Sequence, residues 1–192
     1  DAEIFTSDFS TRQERILTEK MEEVLGPRRL RGQPLERRGV AVAEIEIDGA
    51  TGHIAIVNYV IVDDFGVTLN PLLLAGQVHG GAMQGIGQAL MEQAVYSASD
   101  GQLVTGTLMD YALPRAADGP SFHFETHNVP CTTNPLGVKG AGEAGAIGSC
   151  PALMNAILDA LWRSHRIRHL DMPATPQRVW AAIEKARAAV AP

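Results

Sequence analysis

The arrangement best suited to chemistry in this sequence is an acid on a glycine collar. In Asn134-Pro-Leu-Gly-Val-Lys-Gly-Ala-Gly-Glu-Ala-Gly-Ala-Ile-Gly148, the one acid, Glu143, is flanked by Gly142, Ala144 and Gly145. Glycines keep Cβ atoms out of the way, so backbone N–H groups in such a loop can close on a ligand. Residues 151–162 read as a helix, so the loop empties into a helix N-terminus that favours an anionic ligand or an ionised acid. That describes a carboxylate placed to take a proton beside a bound group. A solvated Glu on a surface loop has the same spelling. Gly140-Ala-Gly-Glu-Ala-Gly145 also matches the dinucleotide fingerprint, with Asp159 near the ribose-binding distance. That fingerprint needs a buried strand running into the first Gly, and here Pro135 and Gly137 interrupt the approach. Glu143 would also repel a pyrophosphate.

A second group of candidates is amide-bearing. Gln77, Gln84 and Gln88 lie seven and four residues apart in a glycine-rich run with helical rhythm, hence near one stripe. They can offer hydrogen bonds to a polar heterocycle, or simply be solvated amides beside a tight helix–helix contact. His123 and His127 share a face of the alternating segment Ser121–Val129, but residues at i and i+4 on a strand stand too far apart to chelate one metal. His165 and His169 straddle the end of a helix and likewise make no metal site. Cys131 and Cys150 make neither a disulfide framework nor a zinc site, and reduced thiols in a cytoplasm are the default.

The elements that must position these groups are readable in part. Residues 1–39 form an extension: an amphipathic helix over 11–25, stopped by Gly26-Pro27, then the basic stretch 28–38, a linker or a docking arm for an acidic partner. Val40–Ile47 alternates as a half-buried strand, Asp48–Gly52 turns, and His53–Val62 returns as a second strand, making a hairpin. Asp63-Asp64-Phe65-Gly66 breaks the strand and Asn70-Pro71 turns the chain. Leu72–Tyr96 is helical in rhythm, Leu103–Tyr111 is a short strand or extended segment, and Ile167–Leu170 is a short strand. Thr175 as N-cap and Pro176 at the first helical position start a last helix, with Trp180 and Ile183 on its apolar stripe.

The net charge of −6 argues against nucleic-acid binding, which wants a basic face. No apolar run reaches about 18 residues, so no membrane span is expected.

Taken together, Val62-Asp-Asp-Phe-Gly-Val-Thr-Leu-Asn-Pro71, Gly76-Gln-Val-His-Gly-Gly-Ala-Met-Gln-Gly-Ile-Gly87 and Asn134–Gly145 resemble the molybdenum hydroxylase family of xanthine dehydrogenase, aldehyde oxidoreductase and the carbon monoxide dehydrogenase large subunit. Met109–Pro114 and Asp171–Trp180 are similar to the carbon-monoxide-dehydrogenase-like branch. The resemblance spans about residues 40–185, with these stretches in the family's order. It implies the C-terminal part of a molybdopterin-binding domain over residues 40–192, as a fragment or a split-gene product. The fold implied is α+β: a hairpin or small mixed sheet packed with helices.

The resemblance also implies roles. Glu143 matches the family's active-site base, acting on a metal-bound hydroxyl. Gln77 matches the glutamine near the molybdenum, Gly140, Ala141 and Gly142 match backbone contacts to the cofactor, and Lys139 and Gln84 match more loosely. The cofactor implied is molybdopterin in its cytosine dinucleotide form, with iron–sulfur clusters and FAD on partner domains or subunits. The reaction implied is water-dependent hydroxylation of an aldehyde, an N-heterocycle or a similar electron-poor carbon, or oxidation of CO. The partners implied are the remainder of the molybdopterin-binding subunit, iron–sulfur and flavin subunits, and a small-molecule substrate. Alone, the chain is expected to turn over nothing. Uncovered glycine faces at Gly80-Gly81 and Gly140–Gly145 would then favour a homo-oligomer. The contrasting readings are a non-catalytic interaction fragment and the dinucleotide-binding module. Two departures stand out: the family's subunit is several times longer, with a copper-holding cysteine motif upstream that neither Cys131 nor Cys150 matches, and residues 10–39 match nothing in the family.

Overall fold

The computed structural model describes residues 3–4 and 39–190. The helix and basic stretch read over residues 11–38 lie outside the described residues. A mixed sheet of order β1-β2-β3-β4 forms one layer: β1 Glu3–Ile4, β2 Gly39–Ile47, β3 Ile54–Asp63 and β4 Phe122–Thr126. Among the described residues three α-helices accompany it: α1 Pro71–Leu90, α2 Ala144–His165 and α3 Pro176–Val190.

The alternating segments pair as the expected hairpin, running antiparallel from Gly39↔Asp63 to Ile47↔Ile54, with a bulge between Glu44 and Ile45. The Asp48 carboxylate closes its turn, accepting from Ala50 N at 2.9 Å and Thr51 Oγ1 at 2.6 Å. β4 pairs with β3 in parallel, Tyr59 opposite Phe122, which makes the sheet mixed. A parallel pair needs a long crossover, and α1 lies within it. Asn70 caps α1 by accepting from Leu73 N at 3.1 Å, and Pro71 opens it.

The core lies between the sheet and the helices. Ile45, Tyr59 and Ile61 meet Val78, Ala82 and Ile86 of α1, Leu153, Ile157 and Leu161 of α2, and Val179 and Ile183 of α3. The α1–α2 crossing is built on small residues. A Cβ on Gly145 would strike the Val78 carbonyl and stand 2.8 Å from Ala82 N; one on Gly85 would strike Ser149 Cβ. Ser149 itself is fully buried and donates to the Ala82 carbonyl at 2.9 Å.

Four expectations are corrected. First, α2 begins at Ala144, not Pro151, which falls inside the helix. Close packing on α1 holds Gly145–Gly148 helical despite the propensity cost, about 1 kcal/mol per Gly. The acceptor that the missing Pro151 N–H would have used, the carbonyl of Ile147, belongs to an exposed residue. Second, residues 167–170 form no strand. The chain leaves α2 through Arg166 in the left-handed region (φ 60°), and Arg166 and Arg168 stack on Trp162 instead. Third, residues 103–111 make only a single bridge, Tyr96 to Leu103, before further turns. Fourth, the stripe of α3 is Val179 with Ile183; Trp180 remains 44% exposed.

Among the described residues one helix, α2, is long and apolar enough to cross a membrane. Leu153, Ile157 and Leu161 on its inner face are buried in the core, and Asp159 and Arg163 pair at 2.8 Å on its outer face. This is the pattern of a core helix.

Candidate functional site

The glycine loop is pinned up to Lys139 and then released. The Asn134 side chain brackets Val138, donating to its carbonyl at 2.9 Å and accepting from its N–H at 3.2 Å. Gly137, in the left-handed region at φ 66°, turns its carbonyl to accept from Val67 N and Cys131 N, both at 2.9 Å. Lys139 N donates to the Phe65 carbonyl at 3.0 Å. From there the N–H groups of Gly140, Ala141, Gly142 and Glu143 have no partner among the described residues. A Cβ on Gly142 would meet open space. Glu143 occupies the N-cap position of α2, exposed, with its carboxylate making no capping bond. Because the helix starts there, the carboxylate stands directly at its positive end.

Lys139 is committed elsewhere. Its ammonium meets Asp64 Oδ2 at 2.6 Å, and both side chains are nearly buried, 9% and 7% exposed. Asp64 Oδ1 also accepts from Gly66 N and Val129 N, each at 2.9 Å. Burial works to raise the Asp64 pKa, but the bonds from Lys139, Val129 and Gly66 outweigh it and hold the carboxyl below its ordinary value. Lys139 therefore clamps the loop to the end of β3, and its tip does not reach the open face.

Gln77 and Gln84 lie exposed on α1, together with Gly76 and Gly80, whose missing Cβ atoms would meet nothing within 4 Å. Gln88 continues the stripe, but its Oε1 lies 3.5 Å from the Cys150 thiol. The Gly81–Gly145 crossing joins this face to the loop, with a Cβ on Gly81 falling 2.9 Å from Ala146 N. Val78, next to Gln77, and Gly145, two residues beyond Glu143, touch at that crossing. Gln84 sits farther along, beside the Gly85–Ser149 contact.

One group escaped sequence reasoning. Asp63, read as a strand breaker within the Val62–Pro71 stretch and given no role, lines a cavity of about 250 Å³ with Ala41, Ile61, Phe65, Ala144 and Ile147. Its Oδ2 is buried and has no hydrogen-bond partner, and burial pushes its pKa up to about 6. The available signal was a pair of adjacent acids at the end of an apolar strand.

The remaining candidates stay apart. His123 pairs with Glu125 at 3.1 Å and His169 with Asp171 at 3.0 Å. Among the described residues no group of three or more His, Cys, Asp or Glu could hold a metal ion. No strand runs into Gly140, since Val138 makes only an isolated bridge to Gly66. The dinucleotide fingerprint therefore lacks its strand.

Comparison with known proteins bears on the fold and the family. Residues 27–120 match the family model of a molybdopterin cofactor-binding domain, a match that includes α1 and ends before Glu143. The chain is 39% identical over 150 residues to the carbon monoxide dehydrogenase large chain of Hydrogenophaga pseudoflava, covering 77% of this chain and 18% of that protein. It is 35% identical to the nicotine 6-hydroxylase large subunit of Paenarthrobacter nicotinovorans, with the same coverage of 77% and 18%. Quinoline 2-oxidoreductase from Pseudomonas putida 86 superposes with a TM-score of 0.71 at 36% identity, over 74% of this chain and 18% of that one. Reconstituted CO dehydrogenase from Oligotropha carboxidovorans gives 0.75 at 29%, over 80% and 19%. The chain thus spans less than a fifth of the length of these relatives.

Proposed function

The chain belongs to the molybdenum hydroxylase family, and on that premise we propose that it supplies one wall and the catalytic base of a molybdopterin site completed by the rest of a larger subunit. The observation that carries this is the run of unpartnered N–H groups from Gly140 to Glu143 beside glycines whose Cβ positions are open. Such donors at a helix N-terminus suit the anionic and carbonyl edges of a large polar cofactor. The residues present therefore fit the group.

When bound, the cofactor supplies the redox chemistry. The chain's own residues do the rest. The Gly140, Ala141 and Gly142 N–H groups hold the cofactor's polar edge, and Gln77 offers an amide from the adjoining turn of α1. Gln84 extends that face, while Lys139 acts through the clamp it makes with Asp64. The Glu143 carboxylate, with no competing cap bond, is free to accept a proton at an Oε atom as oxygen from water is transferred to substrate. The substrates in this reading are small molecules with an electron-poor carbon, an aldehyde or N-heterocycle, or CO. In this reading the cofactor would be the cytosine dinucleotide form, and iron–sulfur and FAD groups on partner domains would supply the path for electrons.

Glu143→Gln in the assembled enzyme tests the reading. The amide keeps the shape and removes the base, so molybdenum content should be retained while turnover falls about 10²–10⁴-fold. Activity within a few-fold of wild type removes Glu143 from this role. The 192-residue chain alone is expected to bind little or no molybdenum, because half a site loses most of its affinity. Stoichiometric metal on the isolated chain would contradict that.

A further inference from the structure

We propose that the cavity above Asp63 is a receptor for an alkyl-guanidinium group, an arginine side chain presented by another part of the large subunit. The inference rests on the family reading only for the source of that arginine.

The two acids that end β3 have opposite surroundings. Asp64 holds Lys139 and two backbone N–H groups. Asp63 has none of these: Oδ2 is buried without a partner, and no described residue donates to either oxygen. Oδ1 lies where a Cβ on Gly39 would stand. The missing Cβ of Gly39 is what lets Oδ1 sit there, and because an Asp χ2 rotates broadly, the carboxylate can present an oxygen to the cavity.

The cavity walls decide the shape of the occupant. Ala41, Ile61, Phe65, Ala144 and Ile147 are apolar, Gly39, Gly140, Gly145 and Gly148 present only backbone, and Asp64, held by Lys139, completes the lining beside Asp63. Gly39, Gly140 and Ile147 are exposed and form the rim. An aliphatic stem fits such a wall and a charged head fits its acid-bearing end. A cation rather than a neutral donor is called for. A buried carboxylate without a partner costs folding free energy that an opposite charge offsets. Lys139, which fills that role for Asp64, is already committed. Guanidinium is more weakly hydrated than ammonium and pairs bidentately with carboxylate, so it is the better suited of the two cations. The protein is also acidic overall, with a net charge of −6.

The test uses the 192-residue chain and propylguanidinium, followed by amide chemical shifts. Wild type should bind it saturably, with shifts concentrated at Gly39, Gly140 and Gly148. Asp63→Asn should bind at least tenfold more weakly, and neutral propylurea should not bind. Ala41→Leu keeps the charge and narrows the cavity, so it too should lose binding; circular dichroism of both variants verifies folding. No saturable binding to wild type, equal binding by folded Asp63→Asn, or equal binding of propylurea overturns the proposal. Co-expression with the remainder of a family subunit decides the source. The assembled protein should no longer take up propylguanidinium. If it still does, the arginine assignment is wrong, whatever the molybdenum content of that assembly.

Discussion

Two sets of glycines, on α1 and on α2 with the loop that leads into it, meet opposite surroundings. Gly81, Gly85 and Gly145 are jammed, with their missing Cβ positions already taken by Ala146 N, Ser149 and the Val78 carbonyl. Gly76, Gly80 and Gly142 look into open space. The first set is explained inside the chain, because it lets α1 and α2 touch backbone to backbone. The second set gains nothing from this fold and, in α1, weakens its helix. A glycine with no internal reason is the mark of a surface shaped for something outside the chain. The acids divide the same way, with Asp64 fully partnered and Asp63 facing a cavity.

The comparison can be broken from its closed side first. Lys139→Met leaves Asp64 buried without its cation and should cost about 3–5 kcal/mol of stability by urea unfolding. A loss under about 1 kcal/mol would mean that the clamp does not hold the loop to β3. Next, Gly145→Ala puts a methyl against α1 and should cost about 1–3 kcal/mol, a fall of several degrees in Tm. An unchanged Tm would show that the crossing can relax and that the jammed set is not jammed.

The acids give a smaller effect with a definite sign. Asp63 is raised by burial from an ordinary 3.8 to about 6, so the folded state binds its proton more readily than the unfolded state. Its ionisation therefore destabilises the fold above pH 6, and stability rises as pH falls from about 6 toward 3.8. Asp64, held low, works the other way: its stabilisation is present above its unfolded pKa and is lost only as pH falls through the lower folded value. Asp63→Asn should remove the first slope and be more stable than wild type at pH 7 by roughly 1–2 kcal/mol after solvent screening. Parallel pH profiles for variant and wild type would contradict it.

The smallest effect tests the open side. Gly80→Ala should raise the stability of the chain by up to about 1 kcal/mol, since it adds helix propensity and strikes nothing. In the assembled enzyme the same methyl should lower molybdenum content. Stabilisation without that loss would leave Gly80 outside the ligand face.

Much of this was legible locally. The hairpin followed from alternation and the Asp48 turn, and the start of α3 from Thr175-Pro176, whose cap bond to Arg178 N measures 3.4 Å. Glu143 stood out because an acid among glycines is a local pattern. The start of α2 was not legible, because Pro151 looks like a beginning until Gly145 is seen pressed on α1. Ile167–Leu170 has strand composition but no neighbour to pair with. Asp63 and Asp64 are adjacent and identical in type; what separates them is Lys139, 75 residues from Asp64. No window along the chain contains that information.

The parallel pairing of β3 with β4 carries a consequence for the order of assembly. The β2–β3 hairpin closes through one short turn, whereas Tyr59 meets Phe122 only after the whole segment holding α1 has been looped out. Loop closure on that scale is slow relative to a hairpin. Phe122 is also what His79 of α1 stacks on, at 5.1 Å. The helix that bears Gln77 therefore gains this contact only once β4 has paired with β3. Refolding followed at a probe on α1 should lag behind one on the hairpin.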